Sequence, residues 1–279
     1  MKPVLAILLL LIVACVSSVP PPIPLNPTRF LLISDVSSGG ESMDSIEQDL
    51  ARVATVRRRL TDQGPLIFAL AGDALGPGAR GGQEESRQMV EVLNRAKLDY
   101  ATFGTQELSL DLDTLLARVA QSKFTWLSSN CTLANGRPLR GVQSWDTLHI
   151  WDYKVGVFGL TLQGSYPQSV RCTNPDSAAH RTIEVLSAEG ADLIVALTHQ
   201  PMTADRNLLG REPKLDLILG GYEHRVQDSV VSNRHAVKAD SNASNAQFVT
   251  VWGGKGAWRQ AVGLVPINAG IPPDTAVAP

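Results

Sequence analysis

The chain has 279 residues, 44% of them hydrophobic and 19% charged. That composition excludes a disordered chain and supplies a sizeable core for one large domain or two small ones. The net charge of −2, with no Lys/Arg cluster interleaved with aromatics, argues against a nucleic-acid surface.

At the N-terminus, Lys2 is followed by an apolar run from Val4 to Ala14 and then Cys15. The run is too short to cross a bilayer and suits a signal-peptide core. Ile12-Val13-Ala14-Cys15 resembles a bacterial lipobox, whose Cys is lipidated and becomes the first mature residue. A plain cleaved signal peptide is the alternative. Both readings export the protein to the cell envelope, and lipid on Cys15 would hold it on a membrane surface without spanning it. Residues 16–28 contain Pro20, Pro21, Pro22, Pro24 and Pro27, and read as an extended tether.

Residues 29–268 carry the domain. Phe30 to Ser34 reads as a buried strand. Ser45 to Asp62 places Ile46, Leu50, Val53, Val56 and Leu60 at helical spacing. Arg57-Arg58-Arg59, the one tight basic run, reads as a solvated face of that helix. Leu66 to Ala71 is a second strand, Glu84 to Ala96 a helix, Tyr100 to Phe103 a third strand, and Leu110 to Gln121 a helix. Lys154 to Thr161 is a strand, Ala178 to Glu189 a helix, Leu193 to Leu197 and Leu215 to Leu219 strands. Gln247 to Val251 and Ala261 to Val265 close the set, and residues 269–279, rich in Pro and Ala, are expected to fray. Near-continuous apolar strands alternating with helices predict an α/β fold with strands buried on both faces. Cys131 and Cys172 are free to pair once Cys15 is removed or lipidated, but spacing alone does not place them together. Asn130-Cys131-Thr132 and Asn242-Ala243-Ser244 match the glycosylation sequon, which matters only in a eukaryote.

In such folds ligands gather at the carboxyl ends of strands. Asp35, Asp73, Glu107, His199 and His224 each lie just past a strand. Carboxylates and imidazoles together suit a divalent transition metal. Each residue alone reads as a helix cap or an ordinary surface group.

Leu32-Ile33-Ser34-Asp35, Ala71-Gly72-Asp73, Thr102-Phe103-Gly104, Leu197-Thr198-His199 and Leu219-Gly220-Gly221 with His224, in this order, resemble the calcineurin-like metallophosphoesterases, and most of all their 5′-nucleotidase-type branch. The resemblance runs from about Phe30 to about Val265. It implies a four-layer α-β-β-α sandwich holding two metals that clamp phosphoryl oxygens. It also implies substitutions. Ser37 stands at the family's first His, Thr105-Gln106 at its Asn-His pair, and Tyr222 at the first His of its Gly-His-x-His. Asp35, Asp73, His199 and His224 are retained. The first metal's set keeps Asp35, Asp73 and His224. The second keeps only Asp73 and His199, so one divalent ion (Mn, Zn or Fe) is the expectation. Glu41, Asp44 and Glu223 are candidate replacement ligands, and residues 238–242 a candidate pocket wall. Gln106 does not titrate and cannot replace a catalytic His. The resemblance leaves a weakly active or inactive relative beside a one-metal phosphoesterase, with a phosphoester small molecule as ligand. A purely structural anchor domain is the third reading.

Overall fold

Residues 26–36, 42–76, 83–166 and 170–278 are described in the computed structural model. The signal, most of the tether, Ser37 and Glu41 lie outside them. The strands form where apolar runs are covered on both faces. In β1 (Thr28–Ile33), Leu31 and Ile33 point to one layer and Phe30 and Leu32 to the other, all fully buried. β2 (Ile67–Ala71) does the same with Phe68 and Leu70 against Ile67 and Ala69.

A seven-stranded sheet has the order β16-β15-β1-β2-β3-β4-β6. Its remaining strands are β3 (Tyr100–Thr102), β4 (Thr125–Leu127), β6 (Val142–Gln143), β15 (Asn245–Trp252) and β16 (Arg259–Pro266). A six-stranded sheet has the order β13-β14-β12-β11-β8-β7. It is built from β7 (Trp145–Ile150), β8 (Tyr153–Thr161), β11 (Leu193–His199), β12 (Leu217–Gly220), β13 (Gln227–Val231) and β14 (Arg234–Lys238). The two sheets face each other across one apolar cluster that joins Phe30, Leu32 and Ile67 to Val155, Val195, Leu197 and Leu219. The outer faces are covered by helices. α1 (Met43–Thr61), α2 (Gln83–Arg95) and α3 (Leu112–Gln121) pack on the first sheet. α4 (Pro175–Ala188) and α5 (Met202–Arg211) pack on the second. This is the expected α-β-β-α sandwich. Helix starts are capped as their sequences dictate: Ser42, Asp111 and Asn174 accept from the N–H of Ser45, Thr114 and Ser177.

A small third sheet joins β5 (Cys131–Leu133), β10 (Val170–Cys172) and β9 (Gly164–Tyr166). Cys131 and Cys172 face each other across β5 and β10 and form a disulfide, with Cα atoms 4.0 Å apart. Asn130 beside it is buried and donates to the carbonyls of Thr161 and Thr173. That side chain is therefore closed to glycosylation.

Three expectations change at the ends and edges. The tether does not reach residue 28, because Thr28 is buried in β1 and the Pro27 carbonyl accepts from Trp151 Nε1. The C-terminal stretch does not fray. Val277 and Ala278 are buried, Asp274 N donates to Ala51 O, Thr55 Oγ1 donates to Pro272 O, and Arg58 pairs with Asp274. The tail is thereby fastened to α1, and Arg58 is tied to it rather than left to solvent alone. Among the described residues, no helix is long and apolar enough to cross a membrane.

Candidate metal centre

β1, β2 and β3 run parallel in one sheet, and β8, β11, β12 and β14 run parallel in the other. Their carboxyl ends come together at one edge of the sandwich. The loops there are held backbone to backbone: Asp35 N donates to Gly72 O at 2.9 Å, Gly221 N to Thr198 O at 3.0 Å, and Asn242 N to Asp35 O at 3.0 Å. The approach is so close that glycine is required. A Cβ on Gly104 would lie 2.1 Å from Asp73 Oδ1, and one on Gly221 2.3 Å from Ala71 O. Asp35, Asp73, Tyr222 and His224 all adopt left-handed backbone, with φ of 53°, 57°, 87° and 53°. Each such residue costs about 1–2 kcal/mol, a strain that gathers where side chains must be aimed.

Donor atoms of Asp35, Asp73 and His224 lie within 4.8 Å of one another. His224 Nε2 is 3.4 Å from Asp35 Oδ1. His199 Nε2 is 3.3 Å from Asp73 Oδ2, and its Nδ1 is 2.8 Å from Ala71 O. The Asp73 carboxylate also accepts from Gln106 N at 2.8 Å, and Thr105 Oγ1 lies 3.3 Å from Asp73 Oδ2. The Tyr222 ring stands edge-on to His199, centroids 5.6 Å apart, and the Tyr222 backbone N–H donates to Asp35 Oδ2 at 3.2 Å. Asp35, Asp73 and His199 are buried, whereas the His224 side chain is 48% exposed and marks the open side.

No protein-family model and no curated protein sequence matches the chain. Solved structures do. The calcineurin-like phosphoesterase YfkN of Bacillus subtilis is 18% identical with a TM-score of 0.73, over 91% of this chain and 95% of its own. The sulfate thiohydrolase SoxB of Thermus thermophilus is 16% identical with a TM-score of 0.78, over 91% of this chain and 59% of its own. A 5′-nucleotidase precursor from the same organism is 16% identical with a TM-score of 0.71, over 90% of this chain and 57% of its own. The chain has the calcineurin-like phosphoesterase fold. It spans a little over half the length of the latter two proteins.

Within that fold, the electrostatics of the centre follow from burial and proximity. Burial pushes the Asp35 carboxyl above its usual range, against the pull of His199, Ser34 and His224. Burial also works against the Asp73 charge, but the hydrogen bond and charge of His199, with Gln106 N and Thr105, outweigh it and hold Asp73 low. Burial opposes a charge on His199 as well, but Asp73, then Asp35 and the Ala71 carbonyl, outweigh it and raise the imidazole.

The donor set fits one hard-to-borderline divalent ion: two carboxylates and an imidazole with converging atoms. Beside it, Asp73 and His199 face each other, and Thr105 and Gln106 are engaged with Asp73 by hydroxyl and backbone N–H. Ser37 lies outside the described residues. Of the candidate replacement ligands, Glu41 lies outside the described residues and the other two are placed elsewhere. Asp44 is exposed on the first turn of α1, and Glu223 caps α5 by accepting from Met202 N at 2.7 Å. Of residues 238–242, Lys238 and Ala239 are buried, whereas Asp240, Ser241 and Asn242 are partly exposed, and Asn242 N donates to Asp35 O.

Glu107, a strand-end carboxylate of the sequence, is no ligand. It is fully buried and accepts four backbone N–H groups, those of Asp73 (2.9 Å), Ala74 (2.6 Å), Leu75 (2.8 Å) and Gly104 (2.7 Å). Burial, then the Asp73 charge, raises its pKa against the pull of those donors. It shapes the turn that aims Asp73. Tyr166 on β9 escaped the sequence pattern because a lone Tyr in a short strand carries no signal. Its phenol donates to Leu162 O at 3.1 Å, and burial, then the Asp73 charge, raises it.

Proposed function

We propose that this protein is an exported, phosphoester-binding member of the calcineurin-like phosphoesterases that holds one divalent cation between Asp35, Asp73 and His224 and turns phosphoesters over slowly at best. The observation that carries it is the convergence of those three donor sets within 4.8 Å. A bound ion there supplies positive charge that draws in a phosphoryl oxygen. The chain's own residues do the rest. Asp73 bridges the ion side and His199, Tyr222 N fixes the Asp35 carboxylate, and exposed His224 lets the ligand enter from solvent. Gln106 brings no titratable proton donor, a loss that commonly costs about 10²–10⁴-fold in rate. Tyr222, which stands where the family resemblance implies a His ligand of a second ion, packs edge-on against His199, which supports a single cation. The apolar segment before Cys15 and the tether that follows support export to the cell envelope with a lipid on Cys15. No nucleic-acid partner is proposed, since the net charge is −2.

The test is metal stoichiometry of the purified full-length protein, by elemental analysis and calorimetric titration with Mn²⁺ and Zn²⁺, beside Asp73→Asn. One ion per chain, lost in Asp73→Asn, with weak hydrolysis of a nitrophenyl phosphate panel, bears the reading out. Fast turnover with one ion moves the one-metal phosphoesterase ahead. Two ions, or none, sinks the one-cation centre.

A further inference from the structure

His199 sits between two residues that reach for the same buried carboxylate. Thr198 Oγ1 donates to Asp205 Oδ2 at 2.9 Å, and Gln200 Nε2 donates to Asp205 Oδ1 at 2.8 Å. Lys238 Nζ pairs with Asp205 Oδ2 and also donates to Gln200 O at 2.6 Å. All four residues are fully buried, and among the described residues Lys238 is the only lysine in that state. The backbone of β12 is pressed onto the pair: a Cβ on Gly220 would lie 2.6 Å from Lys238 Nζ and 2.9 Å from Thr198 Oγ1.

The same segment continues to the other side of the centre. The Lys238 carbonyl accepts from Gln247 Nε2 at 3.1 Å, and Ala239 N donates to Gly220 O at 3.2 Å. Ser34 Oγ donates to the carbonyls of Ala239 and Asp240, at 3.4 and 3.3 Å, and Asn242 N holds Asp35 O. A continuous set of bonds therefore runs from the flanks of His199 to the backbone of Asp35.

Two charges removed from water lose several kcal/mol each in hydration, and an apolar pair of similar volume often supports a fold as well. Stability alone does not account for an ion pair here. Its directed bonds do: Lys238 Nζ holds the Gln200 carbonyl, and the Asp205 carboxylate holds the side chains of Thr198 and Gln200, on either side of His199. Resting on the cation centre proposed above, we propose that Lys238 and Asp205 are positioning residues for it. They hold His199 against Asp73 and, through residues 239–242, hold Asp35 opposite.

The test compares the wild-type full-length chain with Lys238→Met/Asp205→Leu, which removes both charges at similar volume, and with Thr198→Val, which keeps the ion pair and cuts one bond to it. Three quantities are read: Tm, Mn²⁺ Kd, and deuterium exchange at the Gly221 amide, which donates to Thr198 O. The double variant leaves Thr198 Oγ1, Gln200 Nε2 and Gln200 O without their buried partners, so it is expected to lower Tm, bind Mn²⁺ about tenfold or more weakly, in line with losses seen when supporting partners of metal ligands are removed, and exchange Gly221 faster. A folded double variant with wild-type Kd and wild-type exchange overturns the proposal. Should the double variant not fold, Thr198→Val decides: weaker Mn²⁺ binding and faster Gly221 exchange support positioning, and unchanged values overturn it. Should the wild type bind no Mn²⁺, the one-cation centre fails, and Gly221 exchange alone decides the positioning role in the same two directions.

Discussion

Replacing Glu107 by Gln changes one atom at the pivot of the centre. In the wild type Oε2 accepts from Asp73 N and Gly104 N, and Oε1 from Ala74 N and Leu75 N, all between 2.6 and 2.9 Å. An amide keeps one of the oxygens. Its NH₂ then faces two backbone N–H groups in a buried position. Each orphaned donor costs about 1–3 kcal/mol, so the loss is about 2–6 kcal/mol. At least half of that loss falls on the 73–75 turn whichever way the amide points, so the turn would no longer aim the Asp73 carboxylate. Urea unfolding followed by circular dichroism reads the stability, and Mn²⁺ titration under native conditions reads the aim of Asp73. A drop in the unfolding midpoint with unchanged m-value, together with weaker Mn²⁺ binding, is expected. A Glu107→Gln protein within about 1 kcal/mol of wild type would refute the view that this carboxylate organises the turn.

Asp216 carries a pH signature remote from the centre. Burial, opposed by the Ile194 N–H and the charges of Arg234 and Lys255, pushes its carboxyl up to about 6 from an ordinary 3.8. The folded state therefore binds this proton more tightly than the unfolded chain. Unfolding free energy falls as pH rises from 3.8 to about 6. Asp216→Asn, whose amide oxygen still accepts from Ile194 N, should flatten that part of a Tm-against-pH curve; an unaltered slope would dismiss the burial account. The Cys131–Cys172 bridge spans 41 residues, and its removal by Cys131→Ala/Cys172→Ala is expected to cost about 2–4 kcal/mol in urea unfolding. Equal stability of the reduced and oxidised protein would contradict this. Ser37→His/Thr105→Asn/Gln106→His/Tyr222→His reinstates the family's donors, and elemental analysis should rise from one ion per chain to two. A count that stays at one would mean the second position is closed by something other than these side chains.

Much of the fold was legible because the strands are buried on both faces, so each appears as an unbroken apolar run: Leu31 to Ile33, Phe68 to Leu70 and Leu193 to Leu197 need no tertiary information to be found. β7 and β13 were missed because edge strands alternate or carry polar residues, as in Gln227 to Val231, and β14, an interior strand, because Arg234, His235 and Lys238 interrupt its apolar residues. α5 was missed because its N-cap is Pro201, with no side-chain cap bond to announce a start. The site was legible as positions just past strand ends. The roles of those positions were not. Glu107 and Asp73 look alike in the chain, yet one is turned onto four N–H groups and the other toward His199.

By itself the sequence determined the alternation of strand and helix, the α/β class, and the placing of Asp35, Asp73, His199 and His224 behind their strands, because these are properties of local periodicity and of residue order; the four layers were implied only by the family resemblance. Only the tertiary structure decided which of them converge, that Glu223 caps a helix and that Lys238 is buried against Asp205. It alone closed Cys131 onto Cys172 and fastened residues 272–278 to α1. Each of these depends on groups brought together from distant parts of the chain, such as Thr55 and Pro272, and their pairing is set by burial and geometry rather than by spacing along the chain.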